Sequence, residues 1–371
     1  MIKFIHLDYW KTSSESELLK KYENSPEKIL IFNWERWLWF DSSWHDAEHR
    51  RHLCKLQLDN LLIEIKKYDI CFFVISEMID MLLNEATGER KKFLQEFMAE
   101  IDKLNVFYIS SSEDNNYPLE ESRTFNMPWF ADRAIYTSRD TTIDFNYRQK
   151  DFTFNMLLGS EREYRTKMFE RIRPHSYVYS TYMGHLQHRD NSDTYLEDKD
   201  ILYKLVSQEF ILNNLRGKLD TMVPVTLENN NYILSHAVPE MIYNNTHFDI
   251  ISESQHQSEH MNFTTEKTGK PLTTGRFFIW FNSPHKVEYL RKFGFELQDY
   301  LCEYDNIIDA DKRLESVFEL IKEIGDNENY IKKIYTDTKD ARIHNQEVYR
   351  RIKSTVHHDR TVWISNQVEK I

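Results

Sequence analysis

DICFFVISE, residues 69–77, is an unbroken apolar run closed at each end by an acid. A strand with one wet face alternates polar and apolar residues. A run without alternation therefore predicts a strand buried on both faces, as in a parallel sheet covered by helices. On its amino side, DAEHRRHLCKLQLDNLLIEIKKY (46–68) sets Leu53, Leu56, Leu58, Leu61, Leu62 and Ile65 mostly on one helical face. Before that, KILIFNWE (28–35) is another short apolar run. On its carboxyl side a helix is expected from about Ile79 to Leu104, with Gly88 as the place where it would break, and then a third strand, VFYISSS (106–112). The order β-α-β-α-β predicts a parallel, doubly wound sheet. Right-handed crossovers would put the loops that follow the strands along one edge of it.

The second half of the chain begins again. DFTFNMLLG (151–159) reads as a strand and SEREYRTKMFERI (160–172) as the helix after it, with Ser160 and Glu163 in a capping-box pattern. SYVYSTY (176–182) is the next strand, and 183–245 reads as irregular with a helix near 198–215. Then come the strand HFDIISES (247–254), a polar loop, a helix start in TTEKTGKPLTTG (264–275) and the strand RFFIWFNS (276–283). PHKVEYLRKFG (284–294) is a helix with Pro at its start. Pro271 fits a helix best within the first turn, which would draw the helix start toward it. DADKRLESVFELIKEI (309–324) and a charged, helix-favouring tail close the chain. Two α/β domains follow, residues 1–150 and 151–325, with a helical tail over 326–371.

Composition narrows the function classes. Hydrophobic residues make up 40% and aromatics 14% of the 371 residues, enough for packed cores and far from a disordered composition. Eight Gly and eight Pro exclude fibrous and low-complexity classes. No apolar run reaches the roughly 18–20 residues that a membrane span needs, and the N-terminus lacks a secretory pattern. Cys54, Cys71 and Cys302 form no C-x-x-C pair, which predicts a reducing compartment and a cytoplasmic protein without structural zinc. The net charge of −12 disfavours non-specific nucleic-acid binding. Locally, Lys332 to Arg360 holds eight Lys or Arg against four Asp or Glu. That segment reads as a solvated helix face or, alternatively, as a docking patch for a polyanion.

Several motifs invite chemistry. HQSEH (256–260) matches a zinc-protease signature, but it has no apolar face to bury and reads as a polar loop. Asp309 and Asp311 form a D-x-D directly before an amphipathic helix, where an N-cap is the better reading than a metal site. His185 and His188 read as surface residues. The glycine-rich nucleotide cradles are absent from the sequence. TTEKTGKPLTTG is more telling. If strand 247–253 feeds this helix, Thr264 to Lys267 form its first turn or cap, where unpaired N–H groups attract phosphate. Lys267 adds a full charge, and Glu266 is able to accept two hydroxyl protons, as a ribose diol requires. The pair would then lie at the carboxyl ends of the strands, where open α/β sheets bind ligands. The plain alternative is a surface pair between Glu266 and Lys270.

A strand ending Ser-Glu-Ser, a polar loop, T-E-K, a short helix and a buried strand resemble the C-terminal half of fucosyltransferase-like glycosyltransferases. EKTGKPLTTGRFFIWFNSPHKVEYLRKFGFE, with DADKRLESVFELIKEI after it, looks like a branch of that superfamily common in phages and bacteria. The likeness covers about 247–324, is weaker over 151–182 and is only architectural before that. The resemblance implies two Rossmann-like domains facing a cleft, the GT-B arrangement. The N-terminal domain would take the acceptor and the C-terminal domain a nucleotide-diphosphate sugar. Glu266 would bind the ribose, Lys267 the diphosphate, and Arg162 or Arg165 would complete the phosphate clamp, with Glu253 near the nucleotide. Gly269, Lys270 and Pro271 depart from the larger apolar residues usual there.

Such enzymes usually work without a metal. An acid of the N-terminal domain would deprotonate the acceptor hydroxyl; the candidates are Glu35, Asp41 and Glu77, with Glu35 favoured. Trp34, Trp37, Trp39 and Trp44 near Glu35 are core or a stacking surface for a sugar or base. The implied acceptor is a glycan or, if the enzyme is phage-encoded and works in the host cytoplasm, a hydroxymethylated base in duplex DNA. The latter needs a basic groove, for which Lys332–Arg360 and Arg162–Arg173 are the candidates. A non-catalytic nucleotide- or glycan-binding protein on the same fold is the alternative.

Overall fold

Nine strands among the described residues pair in parallel to form two separate sheets. The structure, a computed structural model, describes residues 2–5, 18, 20–33, 58–74, 88–110, 121–132, 141–158, 163–182, 238–253 and 264–370. The helix expected near 198–215, the HQSEH motif, His185 and His188, and the tryptophans at 34, 37, 39 and 44 lie outside them.

The first sheet runs in chain order: β1 (Ile2–Ile5), β2 (Ile29–Asn33), β3 (Ile70–Val74), β4 (Val106–Ser110) and β5 (Thr124–Asn126). Every residue of β3 is buried, as its unbroken apolar run predicts. β1 has no counterpart among the expected strands. It is four residues long with Lys3 inside it, too short and too mixed to stand out. Residues 58–65 are helical, and α1 (Gly88–Ile101) is the described part of the helix expected over 79–104; the residues just before Gly88 lie outside the described ones.

Among the described strands this order never reverses, unlike the doubly wound order expected. Right-handed crossovers that all advance in one direction fall on one face and leave the other bare. Phe72 is paired with Phe107, and Ile109 with Phe125, so these side chains share a face. Trp363 packs on it, with ring centroids 5.9, 6.0 and 5.6 Å from Phe72, Phe107 and Phe125. The end of the chain therefore covers a face of the first sheet. By contacts the chain divides into two units: Met1–Pro128 with His260–Phe263 and Lys353–Ile371, and Trp129–Glu259 with Thr264–Ile352. The sequence reading sets its boundary at residue 150 and keeps 326–371 as a separate tail; here the last helix is shared between the units.

The second unit opens with α2 (Trp129–Asp132) and carries the second sheet, ordered β7-β6-β8-β9. The chain enters at β6 (Phe152–Leu158), passes through α3 (Glu163–Ile172) to β7 (Val178–Tyr182), and returns through α4 (Glu240–Asn245) to β8 (Thr246–Ser252) on the far side of β6. It continues through α5 (Glu266–Thr274) to β9 (Phe278–Phe281). This sheet is doubly wound, and its order reverses between β6 and β8. Helices cover both of its faces. α3, through Met168 and Ile172, packs with Phe154, Phe248, Ile250, Ile279 and Phe281. α5, through Leu272, packs on the opposite face with Ile251, Phe278 and Trp280.

After α6 (Lys286–Lys292) come α7 (Ala310–Ile324), α8 (Glu328–Asp337) and α9 (Lys339–Val368). The Asp309 carboxylate accepts from Lys312 N at 2.9 Å, so the D-x-D serves as a helix cap, as the sequence indicates. Among the described residues no group of three or more His, Cys, Asp or Glu gathers to hold a metal.

The amino-terminal edge of this sheet is tied by a buried cation. Arg276 pairs with Asp249 at 2.6 Å and donates to the Tyr243 and Thr246 carbonyls at 2.8 and 2.9 Å. Asn155 donates to the other Asp249 oxygen at 2.6 Å and to Thr246 Oγ1 at 3.0 Å, linking β6 to β8. Removing one partner of a buried pair leaves a charge without compensation. Arg276→Met is therefore expected to lower the unfolding free energy by about 3–5 kcal/mol, read from denaturant melts.

His247 lies beside this network, 4% exposed and stacked on Tyr147. Burial, with Lys150 and Arg276 adding to it, pushes its pKa from 6.5 down to about 3. Between those values the unfolded chain binds a proton that the folded chain does not, so acid favours unfolding. Wild-type stability should fall relative to His247→Phe as pH drops below about 6.5, by roughly 1.4 kcal/mol per unit, in denaturant melts at stepped pH. Parallel pH profiles for the two proteins would contradict this.

Candidate functional site

An open α/β sheet binds its ligand at the carboxyl ends of the strands where the order reverses, because the crossover helices there diverge to opposite faces. In the second sheet that place is the end of β6 and β8. β8 runs out at Ser252, and the next residue, Glu253, donates its backbone N–H to the Phe281 carbonyl at 3.1 Å. Arg165, on α3 and 3% exposed, donates through Nη2 to the Ser252 carbonyl at 3.2 Å. Tyr164 donates its hydroxyl to the Glu253 carbonyl.

The start of α5 meets the end of β8 through a buried carboxylate. Glu253 has no exposed surface. Its Oε1 accepts from Thr265 N at 3.0 Å and from Thr268 Oγ1 at 2.7 Å, and its Oε2 accepts from Thr265 Oγ1 at 2.7 Å. Thr265 is the N-cap, extended at φ −108°, ψ −171°, and its Oγ1 accepts from Lys267 N at 3.3 Å. Glu266 and Lys267 are thus the first two helical residues. The Lys267 ammonium lies 3.0 Å from Thr265 Oγ1, 3.4 Å from Glu266 Oε1 and 3.8 Å from Glu253 Oε2, and its side chain is 26% exposed.

The helix does not start near Pro271, as its sequence preference suggested. Pro271 is the sixth residue of α5. It cannot donate to the Lys267 carbonyl, and an interior proline costs a helix about 3 kcal/mol. Against that stand a Thr N-cap, worth about 1–2 kcal/mol, and hydrogen bonds to a charged group, worth about 1.5–3 kcal/mol each. The clamp at Glu253 outweighs the proline. The helix stops three residues beyond Pro271, where Gly275 takes a left-handed conformation at φ 61° and Arg276 N donates to the Pro271 carbonyl at 2.9 Å.

Four of the expected ligand residues therefore gather at one edge: Arg165, Glu253, Glu266 and Lys267. Glu266 Oε1 lies 3.4 Å from the Lys267 ammonium, and Glu266 also acts electrostatically on Lys270 one turn on. Lys270 is half-buried, and burial pushes its pKa down to about 8 against the pull of Glu266. Arg162 and the three candidate bases, Glu35, Asp41 and Glu77, lie outside the described residues.

Sequence reasoning gave Thr268 no role, because its partner is fifteen residues away at the end of another element. It gave the side chains of Ser252, Asn282 and Ser283 at the same edge no role either, and Thr264 only a place in the helix cap. Each carries a buried polar side-chain atom with no hydrogen-bond partner: Ser252 Oγ, Thr264 Oγ1, Asn282 Nδ2 and Ser283 Oγ. A buried polar atom left unpaired costs about 1–3 kcal/mol. Interiors rarely keep such groups unless water or a ligand meets them. This edge has more polar chemistry than the sheet needs.

Several cations of the two basic segments have partners within the chain. Lys332 and Lys333 pair with Glu328 and Asp337, and Lys339 donates to Asn146 Oδ1. Arg342 is buried and donates to the carbonyls of Asp144, Phe145, Gly275 and Tyr335. Arg360 is 1% exposed. On α3, Lys167 pairs with Glu163, and Arg171 with Glu315. Among the described residues no helix is long and apolar enough to cross a membrane.

No protein-family model matches the chain, and no curated protein matches it. The chemistry of the site rests on its own residues.

Proposed function

We propose that the protein is a glycosyltransferase that moves a sugar from a nucleotide-diphosphate sugar to an acceptor hydroxyl, without a resident metal, as the resemblance implies. The observation that carries this is the meeting of Arg165, Glu266 and Lys267 at the carboxyl edge of β8, beside the reversal of strand order. A diphosphate leaving group needs fixed positive charge that does not reorganise as the bond breaks. Lys267 is held by three oxygens and still reaches solvent, which suits it to the phosphates. Glu266, partly buried beside it, would accept the ribose hydroxyls.

The GT-B arrangement belongs to the same proposal. The second unit would take the donor, and an acid of the first unit, Glu35, Asp41 or Glu77, would take the acceptor proton. A glycan acceptor is favoured over duplex DNA. A DNA groove needs several uncommitted cations, whereas Lys332, Lys333, Arg342, Lys167 and Arg171 already have partners within the chain.

The test is release of nucleoside diphosphate by the full chain from a panel of UDP- and GDP-linked sugars, followed by chromatography. Turnover with one donor class is expected, and Lys267→Ala should lower kcat/KM by roughly 10²–10³-fold, as for loss of one preorganised charge. Donor binding without turnover would move the assignment to a binding protein. Neither binding nor turnover with any donor would reject it.

A further inference from the structure

We propose that Glu253 is a positioning residue, acting on Lys267 through the Thr265 hydroxyl without itself touching a ligand. Its effect on ligand binding rests on the nucleotide-sugar reading; its effect on Lys267 rests on geometry alone.

A carboxylate only accepts hydrogen bonds. The 2.7 Å contact between Thr265 Oγ1 and Glu253 Oε2 therefore uses the hydroxyl proton of Thr265. With that proton committed, the two lone pairs of Thr265 Oγ1 turn away from Glu253. Both are taken by Lys267, one by its backbone N–H at 3.3 Å and one by its ammonium at 3.0 Å. The direction of one hydroxyl thus helps to place the Lys267 charge, alongside the direct approaches of Glu266 Oε1 at 3.4 Å and Glu253 Oε2 at 3.8 Å. Glu253 is held in turn by Thr265 N and Thr268 Oγ1, so the carboxylate has little freedom to rotate.

The same bonds change how an anion is met here. A bare helix N-terminus offers its N–H groups to phosphate. At α5 the chain supplies its own anion to Thr265 N. A diphosphate arriving at this edge would find Thr265 N bound to Glu253 and Lys267 N bound to Thr265 Oγ1, with the Lys267 side chain left to meet it.

Glu253→Gln keeps the volume and reverses the link. With the amide nitrogen in the place of Oε2, the group donates to Thr265 Oγ1, takes a lone pair and displaces the ammonium. The experiment compares acetylation of Lys267 by acetic anhydride in the wild-type full chain and in Glu253→Gln, with exposed Lys322 as internal reference and peptides read by mass spectrometry. Loss of one hydrogen bond to the ammonium predicts acetylation roughly 2- to 10-fold faster at Lys267 and unchanged at Lys322. Affinity for UDP or GDP, by calorimetry, should fall by about the same factor.

Equal Lys267 rates in the two proteins would overturn the proposal. So would a rise in nucleotide affinity, which would make Glu253 merely a repelling charge. If the wild type binds neither UDP nor GDP, the functional reading fails and the acetylation rates alone decide this one. Should Glu253→Gln not fold, Thr265→Val removes the linking hydroxyl and keeps the carboxylate. It must accelerate Lys267 acetylation likewise, and an unchanged rate would again overturn the proposal.

Discussion

A carboxylate cannot be left bare in a protein interior, and Glu253 has no exposed surface at all. Much of the site follows from that requirement. The end of β8 delivers the charge, and the first turn of α5 must supply the donors. Thr265 and Thr268 supply them, which fixes the residue that caps the helix and the turn that carries Glu266 and Lys267. A helix with a proline at its sixth position has a weak intrinsic claim to form. Here it is anchored from outside, by a strand end rather than by its own propensity.

The two edges of the second sheet use polar chemistry differently. At the amino edge, Arg276, Asp249, Asn155 and Thr246 satisfy one another and the carbonyls around them, a closed network that joins β6, β8, α4 and the entry to β9. At the carboxyl edge the clamp is closed, but Ser252, Thr264, Asn282 and Ser283 keep polar atoms without partners and Lys267 keeps part of its surface. Closed networks serve stability. An edge with unmet polar groups is where a guest would be accommodated, and it coincides with the reversal of strand order between β6 and β8.

What the sequence disclosed was whatever has a local signature. The apolar runs at 69–77, 151–159, 247–254 and 276–283 are strands within a few residues, and Asp309 before an amphipathic face is a cap. Lys267 and Glu266 stood out because charge before a small-residue helix is itself a pattern. Features set by distant partners were hidden. Nothing local marks Thr268 as a grip for Glu253, or Trp363 as a cover for Phe72, Phe107 and Phe125. Nor does anything local in the basic run at 332–360 show that Arg342 is spent on the distant carbonyls of Asp144 and Gly275. Pro271 pulled the expected helix start the wrong way because its cost is local, whereas the clamp that outweighs it is not.

The central claim is that a nucleoside diphosphate is met at the carboxyl edge of β8 and the first turn of α5. Amide hydrogen exchange of the full chain with and without saturating UDP or GDP tests it most directly. Protection is expected at the amides of Ser252 and Glu253 and over residues 265–270, with the Arg276 region unchanged. Binding that instead protects the amino edge around Tyr243 to Thr246, and leaves 265–270 exchanging as before, would contradict it.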